Sequence, residues 1–469
     1  MEKLHERFNV SFLDCERFLW TALKAVFSEH LRQLLELLDE EICRHRDKDR
    51  YKVLETVSRE VETLVGPVRF RRRCYLDVQT GERVYLLDEV LQLPKRSRIS
   101  PGLIMALALL GTQCPSYRMA EDNIREVFGE RICSHETVRQ VILQVGRKLQ
   151  VEQAQQRESP QGKLKVPVLL LEVDGLWTSL QREKDPSKEI RILVSHEGWE
   201  RRHPCSNEYM LRNKLHFTWD GRTEEFWEEA SRYLVARYDL ENTLVVINGD
   251  RASWIRKGVQ WFPRAIYQVD RFHLQRDIRS LLKGQPERQK IAKEAFEASD
   301  EGLFLATLAE AAAQEKDPKL RRKLEAFVAD LSSMPEALRD YRKRLPDYGI
   351  DPEGFRGLGA AESQMDLFSN RLKKRGQSWR LPGLRAILAT LTAGFEGRLH
   401  QSAEQLERAE QLLQRKKLHL SAGRIMGKLG SAIAEPRSGH LPVTERGRNA
   451  SGGLSLLMRR LSHPLFSTT

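Results

Sequence analysis

Apolar and polar positions alternate along this chain in two rhythms. Leu31-Arg-Gln-Leu-Leu-Glu-Leu-Leu38 spaces its leucines three and four apart, and residues 1–65 read as amphipathic helix. Residues 67–93 switch to strand-like text, with Val68–Asp77 and Arg83–Leu87 flanking Gln79-Thr-Gly81 as a β-hairpin. Residues 100–150 return to helix and contain a helix-break-helix pattern: Tyr117 to Phe128, a break at Gly129, then a helix with Ser134 as its N-cap. The Gln- and Lys-rich stretch 151–165 reads as a linker. Strand-like runs follow at 166–174, 189–196, near His216–Trp219, 243–249 and 265–269, with a helix, Glu224 to Tyr238, between the third and fourth. Three strands, a helix and two further strands match a ribonuclease-H-like sheet and not a Rossmann alternation. Residues 275–345 are charged and helical, 356–395 hold two more helices, and a polar, basic segment closes the chain.

At 469 residues the chain exceeds one core and should form about three domains. The expected class is α+β and multidomain. Residues 1–95 form a helical N-terminal region with the hairpin, 96–150 a helix-turn-helix domain, and 160–280 the first part of a ribonuclease-H-like core. An all-helical insertion at 281–355, a closing helix of the core at 356–400 and a basic C-terminal region at 401–469 complete it. Net charge is +12 and the pI near 9.4, which makes a polyanion the leading partner. The six cysteines are scattered, without CxxC or zinc-type Cys/His spacing, and read as reduced thiols. No signal-peptide pattern and no apolar stretch of membrane-spanning length is present. The expected location is cytoplasmic and nucleoid-associated, with no membrane partner.

Three acidic residues stand out against this pattern. Asp174 ends the apolar run Val166–Val173 and Asp250 ends the run Thr243–Gly249. Glu362 opens a basic helix, Glu362-Ser-Gln-Met through Arg371-Leu-Lys-Lys-Arg375. Carboxylates at the C-terminal tips of buried strands stand where open α/β sheets bind ligands. Two such tips and a helical carboxylate could cage two Mg²⁺ ions for phosphodiester chemistry, with Mn²⁺ as a substitute. Each residue also has an ordinary reading: a turn for Asp174, a loop or helix cap for Asp250, a helix-start glutamate for Glu362. Asp270 and His273, three apart after the fifth strand, fit metal ligands, orienting groups, a contact to the scissile phosphate, or a helix cap with a structural histidine.

Residues 367–395 contain six basic residues and no acidic one, and Arg371, Lys373, Lys374 and Arg375 head that run as DNA-backbone contacts. The helix after Gly129 would place Ser134, His135 and Arg139 near a major groove, although a plain helical pair fits the same pattern.

Val173-Asp-Gly175, Ile247-Asn-Gly-Asp250, Val269-Asp-Arg-Phe-His273 and the Glu362 block through Trp379 resemble the ISLre-type bacterial insertion-sequence transposases, part of the Mutator-like DDE set. The resemblance extends to Leu86–Leu91 and Glu445–Gly453. It implies a ribonuclease-H-like core with a helical insertion between its second and third acidic residues. It also implies Asp174, Asp250 and Glu362 as a catalytic, metal-binding triad, with Asp270 and His273 as an accessory D-x-x-H motif. Glu353 lies nearby as another third carboxylate. The function so implied is Mg²⁺-dependent cleavage and strand transfer at the inverted repeats of an insertion sequence. The partners would be double-stranded element-end and target DNA and a homo-oligomer of at least two copies. The rivals are a nuclease or resolvase of the same fold without strand transfer, and a non-catalytic, domesticated DNA-binding protein.

Overall fold

The computed structural model describes residues 11–91, 93, 97–158, 162 and 164–399. The chain begins with α1 (Phe12–His45), β1 (Tyr51–Thr63), β2 (Gly66–Asp77), β3 (Arg83–Val84) and the short α2 (Leu86–Val90). The hairpin around Gly81 is present, but residues 51–63 are strand where helix was expected. Val53, Val57, Val61 and Thr63 stand at even spacing there, and β-branched side chains at period two favour a pleated strand over a helix.

Helices α3 (Pro101–Gln113), α4 (Tyr117–Phe128) and α5 (His135–Arg157) follow. Ser116 caps α4, and Gly129 ends it in the left-handed region at φ 74°. Ser134 caps α5, its Oγ accepting the Thr137 N–H at 3.2 Å. Residues 129–134 make a longer connection than the roughly 3–4 residues of a standard helix-turn-helix. Glu121 of α4 spans it, accepting the His135 N–H at 2.7 Å and pairing with Arg131 at 2.7 Å. Helix α5 also takes in residues 151–157 of the expected linker.

The main sheet is built from β4 (Val168–Leu180), β5 (Ser187–His196), the small pair β6 (Trp199–Arg201) and β7 (Tyr209–Leu211) set apart from it, and β8 (Leu215–Trp219). Next come α6 (Phe226–Val235), β9 (Leu244–Gly249), α7 (Ser253–Arg256) and β10 (Ala265–Val269). The helices α8 (Arg271–Leu281), α9 (Pro286–Ala298), α10 (Glu301–Gln314), α11 (Pro318–Ser332) and α12 (Tyr341–Arg344) then run without a strand among them. The last described elements are α13 (Ala360–Leu372), β11 (Ser378–Trp379) and α14 (Leu381–Phe395). The sheet order is β10-β9-β4-β5-β8, with β11 beside the end of β4. Strands β4, β9 and β10 are mutually parallel, while β5 runs antiparallel to both β4 and β8.

Period-two alternation sends the two faces of the sheet to different cores. Leu169, Leu171 and Val173 join Val245 and Ile247 against α6 and the helices after β10. On the other face Leu176, Ile190, Ile192 and Val194 pack on Met365, Phe368 and Leu372 of α13 and on α14. The fold is therefore mixed α and β, a sheet covered by helices on both sides.

The chain divides into two compact units. The larger contains the main sheet and helices α3 to α14. Within it α5 crosses α14 so closely that a Cβ on Gly146 would lie 2.5 Å from the Ala386 Cα. The smaller unit includes Leu34–Val57 and Arg72–Leu91, where Arg73 pairs with Asp39 at 2.6 Å and Arg50 with Asp77 at 2.8 Å. Among the described residues no helix is long and apolar enough to cross a membrane, and all six cysteines are free. The expected basic region 401–469 lies outside the described residues.

Candidate active site at the strand tips

The parallel register pairs Val173 with Gly249 and Gly249 with Val269, so the next residue on each strand is an aspartate: Asp174, Asp250 and Asp270. The ladder continues across this row, since the Asp270 N–H donates to the Gly249 carbonyl at 2.8 Å. Three acidic side chains thus stand side by side where the buried strands β9 and β10 end beside β4, at the sheet edge that binds ligands in open α/β folds. Strand β4 itself does not stop at Asp174, as its apolar run suggested, but stays paired with β5 and runs on to Leu180. Asp174 and Asp250 each have one local partner, and Asp270 has two. Asp174 Oδ1 accepts its neighbour's N–H, Gly175, at 2.7 Å, and Asp250 Oδ1 accepts the Ala252 N–H at 2.9 Å. Asp270 Oδ1 caps α8 through the Phe272 N–H at 2.8 Å, while its Oδ2 lies 3.0 Å from His273 Nδ1.

Burial pushes the Asp174 carboxyl up to about 6, with the neighbouring Asp250 and Asp270 adding to the rise. The Gly175 N–H and nearby His273 oppose it without cancelling it. His273 is shifted upward, first by its hydrogen bond to Asp270. Asp270 therefore acts both as a helix cap and as the group orienting His273, two of the roles open to it on sequence grounds.

One register step inward lies a second polar row on the same face: Glu172, Asn248 and Gln268. It escaped the sequence reading, although a glutamate inside the run Leu169-Leu-Leu-Glu-Val173 was a visible signal. Glu172 is fully buried and accepts backbone N–H groups of Gly359, Ala360 and Ala361 at 3.5, 3.0 and 2.8 Å. It caps α13 from another element, a helix with no side-chain cap of its own and with Gly359 at φ 150° before it. Asn248 Nδ2 donates to Glu172 at 3.4 Å, Gln268 Nε2 donates to Asn248 at 3.3 Å, and the Tyr341 N–H donates to Gln268 Oε1 at 2.6 Å. His196 Nε2 lies 3.5 Å from Glu172 at the other end.

This row brings the start of α13, and with it Glu362, to the strand that carries Asp174. The Glu362 side chain is exposed and makes no hydrogen bond or ion pair among the described residues. Asp174, Asp250, Asp270 and His273 come together; Glu362 is held next to them only through its backbone. As the side chains lie, no three His, Cys, Asp or Glu residues among those described close into an ion-holding set. The donors on offer are carboxylate oxygens, the type that magnesium takes.

The expected DNA contacts divide. Arg371 is not on the surface: it is buried, its guanidinium donating to the Gly111 and Pro115 carbonyls at 3.2 and 3.3 Å. It falls on the inward stripe of α13 with Phe368 and Leu372, which helical spacing decides and a charge run conceals. Lys373, Lys374 and Arg375 are exposed, Lys374 pairing with Asp366 at 2.9 Å. Ser134 spends its hydroxyl on the α5 cap, His135 leans on Glu121 at 3.3 Å, and Arg139 pairs with Glu136 at 2.7 Å.

A protein from Streptococcus gallolyticus, named for its place in a vanSb 3′ region, is 28% identical over 391 residues, 82% of this chain and 83% of the relative. A protein of Caldanaerobacter subterraneus subsp. tengcongensis whose name joins eleven locus designations is 24% identical over 370 residues, 76% of this chain and 73% of its own. Another from the same organism is 23% identical over 369 residues, 76% and 73% of the two chains. The model of an uncharacterised protein family, UPF0236, matches residues 4–409, and the chain belongs to that family.

Proposed function

We propose that this protein is a DNA transposase of a bacterial insertion sequence, cutting and joining DNA at a DDE site formed by Asp174, Asp250 and Glu362. The row of aspartates in register across β4, β9 and β10 carries the proposal. The strand order, three antiparallel strands followed by two parallel ones, supports the ribonuclease-H-like reading, and α8 to α12 fill the place of its helical insertion. The eleven locus designations of one relative support a mobile element, because one sequence at many loci is what transposition leaves.

In this reading Asp174 and Asp250, with Glu362 brought in by α13, hold Mg²⁺. The ions, when bound, would lower the pKa of a water or a 3′-hydroxyl and stabilise the leaving oxygen of an in-line displacement. Partial burial raises the Asp174 carboxyl, and Asp270 orients His273 at the site edge. The helix-turn-helix formed by α4 and α5 would read the inverted repeats, and Lys373, Lys374 and Arg375 would hold phosphates. Paired DNA ends imply at least a dimer.

The test is Mg²⁺-dependent cleavage and strand transfer on labelled element-end DNA by wild type, Asp174→Ala, Asp250→Ala and Glu362→Ala. Joined products in wild type, lost in all three variants while DNA binding persists, are expected. Cleavage without joining would make the protein a nuclease, and binding without chemistry a non-catalytic DNA-binding protein. Activity surviving in Glu362→Ala would move the third carboxylate elsewhere.

A further inference from the structure

A cleft of about 740 Å³ opens between α5, the β4–β5 turn and the segment around β11, at the far end of β4 from the aspartate row. Arg139 and Arg147 of α5, Arg182 of the turn and Arg380 line it, and no acidic residue does. Arg147 and Arg182 are exposed and have no carboxylate partner among the described residues. Arg182 sits at φ 58°, a left-handed conformation that costs a non-glycine residue about 1 kcal/mol, so the turn holds this cation under strain. The floor is apolar and aromatic, with Tyr117 and Trp379. Beneath it Arg371 lies 5.0 Å from the Tyr117 ring centre and 5.1 Å from that of Trp379. Its partners are carbonyls and its Nε has none, so its charge adds to the field of the cleft without a buried counter-ion.

We propose that this cleft seats the phosphodiester backbone of one strand of the DNA on which the protein acts, a binding site separate from the aspartate row. The proposal rests on the DNA reading above and names where the substrate is gripped. Arg139 and Arg147 lie eight residues apart on α5, about 12 Å at ~1.5 Å per residue, a spread suited to charges repeated along a strand. Apolar and aromatic surface between the cations suits sugars and bases better than an acidic peptide. Leu180 closes β4 six residues after Asp174, about 20 Å at ~3.3 Å per residue. A strand in the cleft would be anchored that far from the reacting phosphate, on the same rigid strand. The tight crossing of Gly146 and Ala386 fixes α5 against α14 beside it.

The test is fluorescence anisotropy of the full-length protein with a labelled duplex of arbitrary sequence over a range of salt concentrations. Wild type would be compared with Arg147→Gln/Arg182→Gln, Arg147→Lys/Arg182→Lys and a control, Arg202→Gln, whose exposed side chain pairs with Glu208. The Gln pair should weaken binding about tenfold and make the salt dependence shallower by about two charges. The Lys pair should keep the salt slope, which separates lost charge from lost fold, and the control should match wild type. A Gln pair with unchanged affinity and slope, beside a wild type that binds, overturns the cleft and leaves the DNA reading standing. A wild type that binds no duplex even at low salt overturns both. Equal loss of affinity for polyglutamate and for DNA would reassign the cleft to acidic peptides.

Discussion

Two rows of polar residues cross the same three strands on the same face, one register step apart, and they are treated in opposite ways. Glu172, Asn248 and Gln268 form a closed chain that ends on backbone N–H groups of α13 and Tyr341. Asp174 and Asp250 each satisfy one oxygen locally, Asp270 engages both of its own on α8, and Asp174 is held near 6 by burial and by like charges beside it. A buried polar group in the first row is satisfied by the fold. In the second, Asp174 and Asp250 each keep an oxygen for something from outside, and perturbed carboxylates such as Asp174 gather at functional sites.

The largest expected contrast is in chemistry. Asp174→Ala and Asp250→Ala should each lower cleavage at least about 1,000-fold, as loss of a group acting in the transition state does, while the melting temperature stays at or above that of wild type. Cleavage rates and thermal melts on the same preparations check this, and a large loss of stability in either variant would erase the distinction between the rows. Glu172→Ala should do the reverse. It strips the cap from α13 and removes the carboxylate beside His196, costing about 3–5 kcal/mol of stability in urea unfolding. A loss below about 1 kcal/mol would mean that α13 is held by its apolar stripe alone. Gln268→Leu keeps the volume but takes the acceptor from the Tyr341 N–H and the donor from Asn248 Oδ1, for about 2 kcal/mol. Neutral behaviour there would show that water replaces the chain.

The strands of the main sheet, the helix after β8 and the aspartates after the apolar runs were legible because buried strands of an α/β sheet write long apolar runs. But β4 runs on past Asp174 to Leu180, where polar and apolar positions alternate and the run no longer shows the strand. Period two was equally present in Tyr51–Thr63, yet it was hidden by charged residues between the valines and by the helix before it. Side-chain direction was the other blind spot. Six basic residues in a row of text imply a single face, but Arg371 points inward and Arg385 pairs with Asp220 at 2.7 Å. Nor could the sequence show that Glu172 holds a helix 187 residues away, since 359 minus 172 is a separation only folding closes. The same closure brings the start of α13, and with it the Glu362 backbone, to the strand that carries Asp174.

The smallest effect is the most diagnostic of the open row, because it has the opposite sign from ordinary damage. Asp174 has a folded pKa of about 6 against about 4 in an unfolded chain, so the folded state binds its proton more tightly. Below about pH 4 both states are protonated and the residue costs nothing. As pH rises from 4 to 6 the unfolded chain releases the proton first, stability falls, and above 6 the full cost of a buried charge is present. Asp174→Asn removes that charge with little change of shape. It should therefore stabilise the ion-free protein by about 1–2 kcal/mol at pH 7, an advantage that shrinks to nothing near pH 4. Added Mg²⁺ should raise the melting temperature of wild type more than that of the variant, because only a ligand favouring the folded state shifts the transition. Paired melts at pH 4, 6 and 8 decide the matter: an Asn variant less stable than wild type at pH 7 would mean that the Asp174 carboxylate is satisfied by the fold, like Glu172 one step below it.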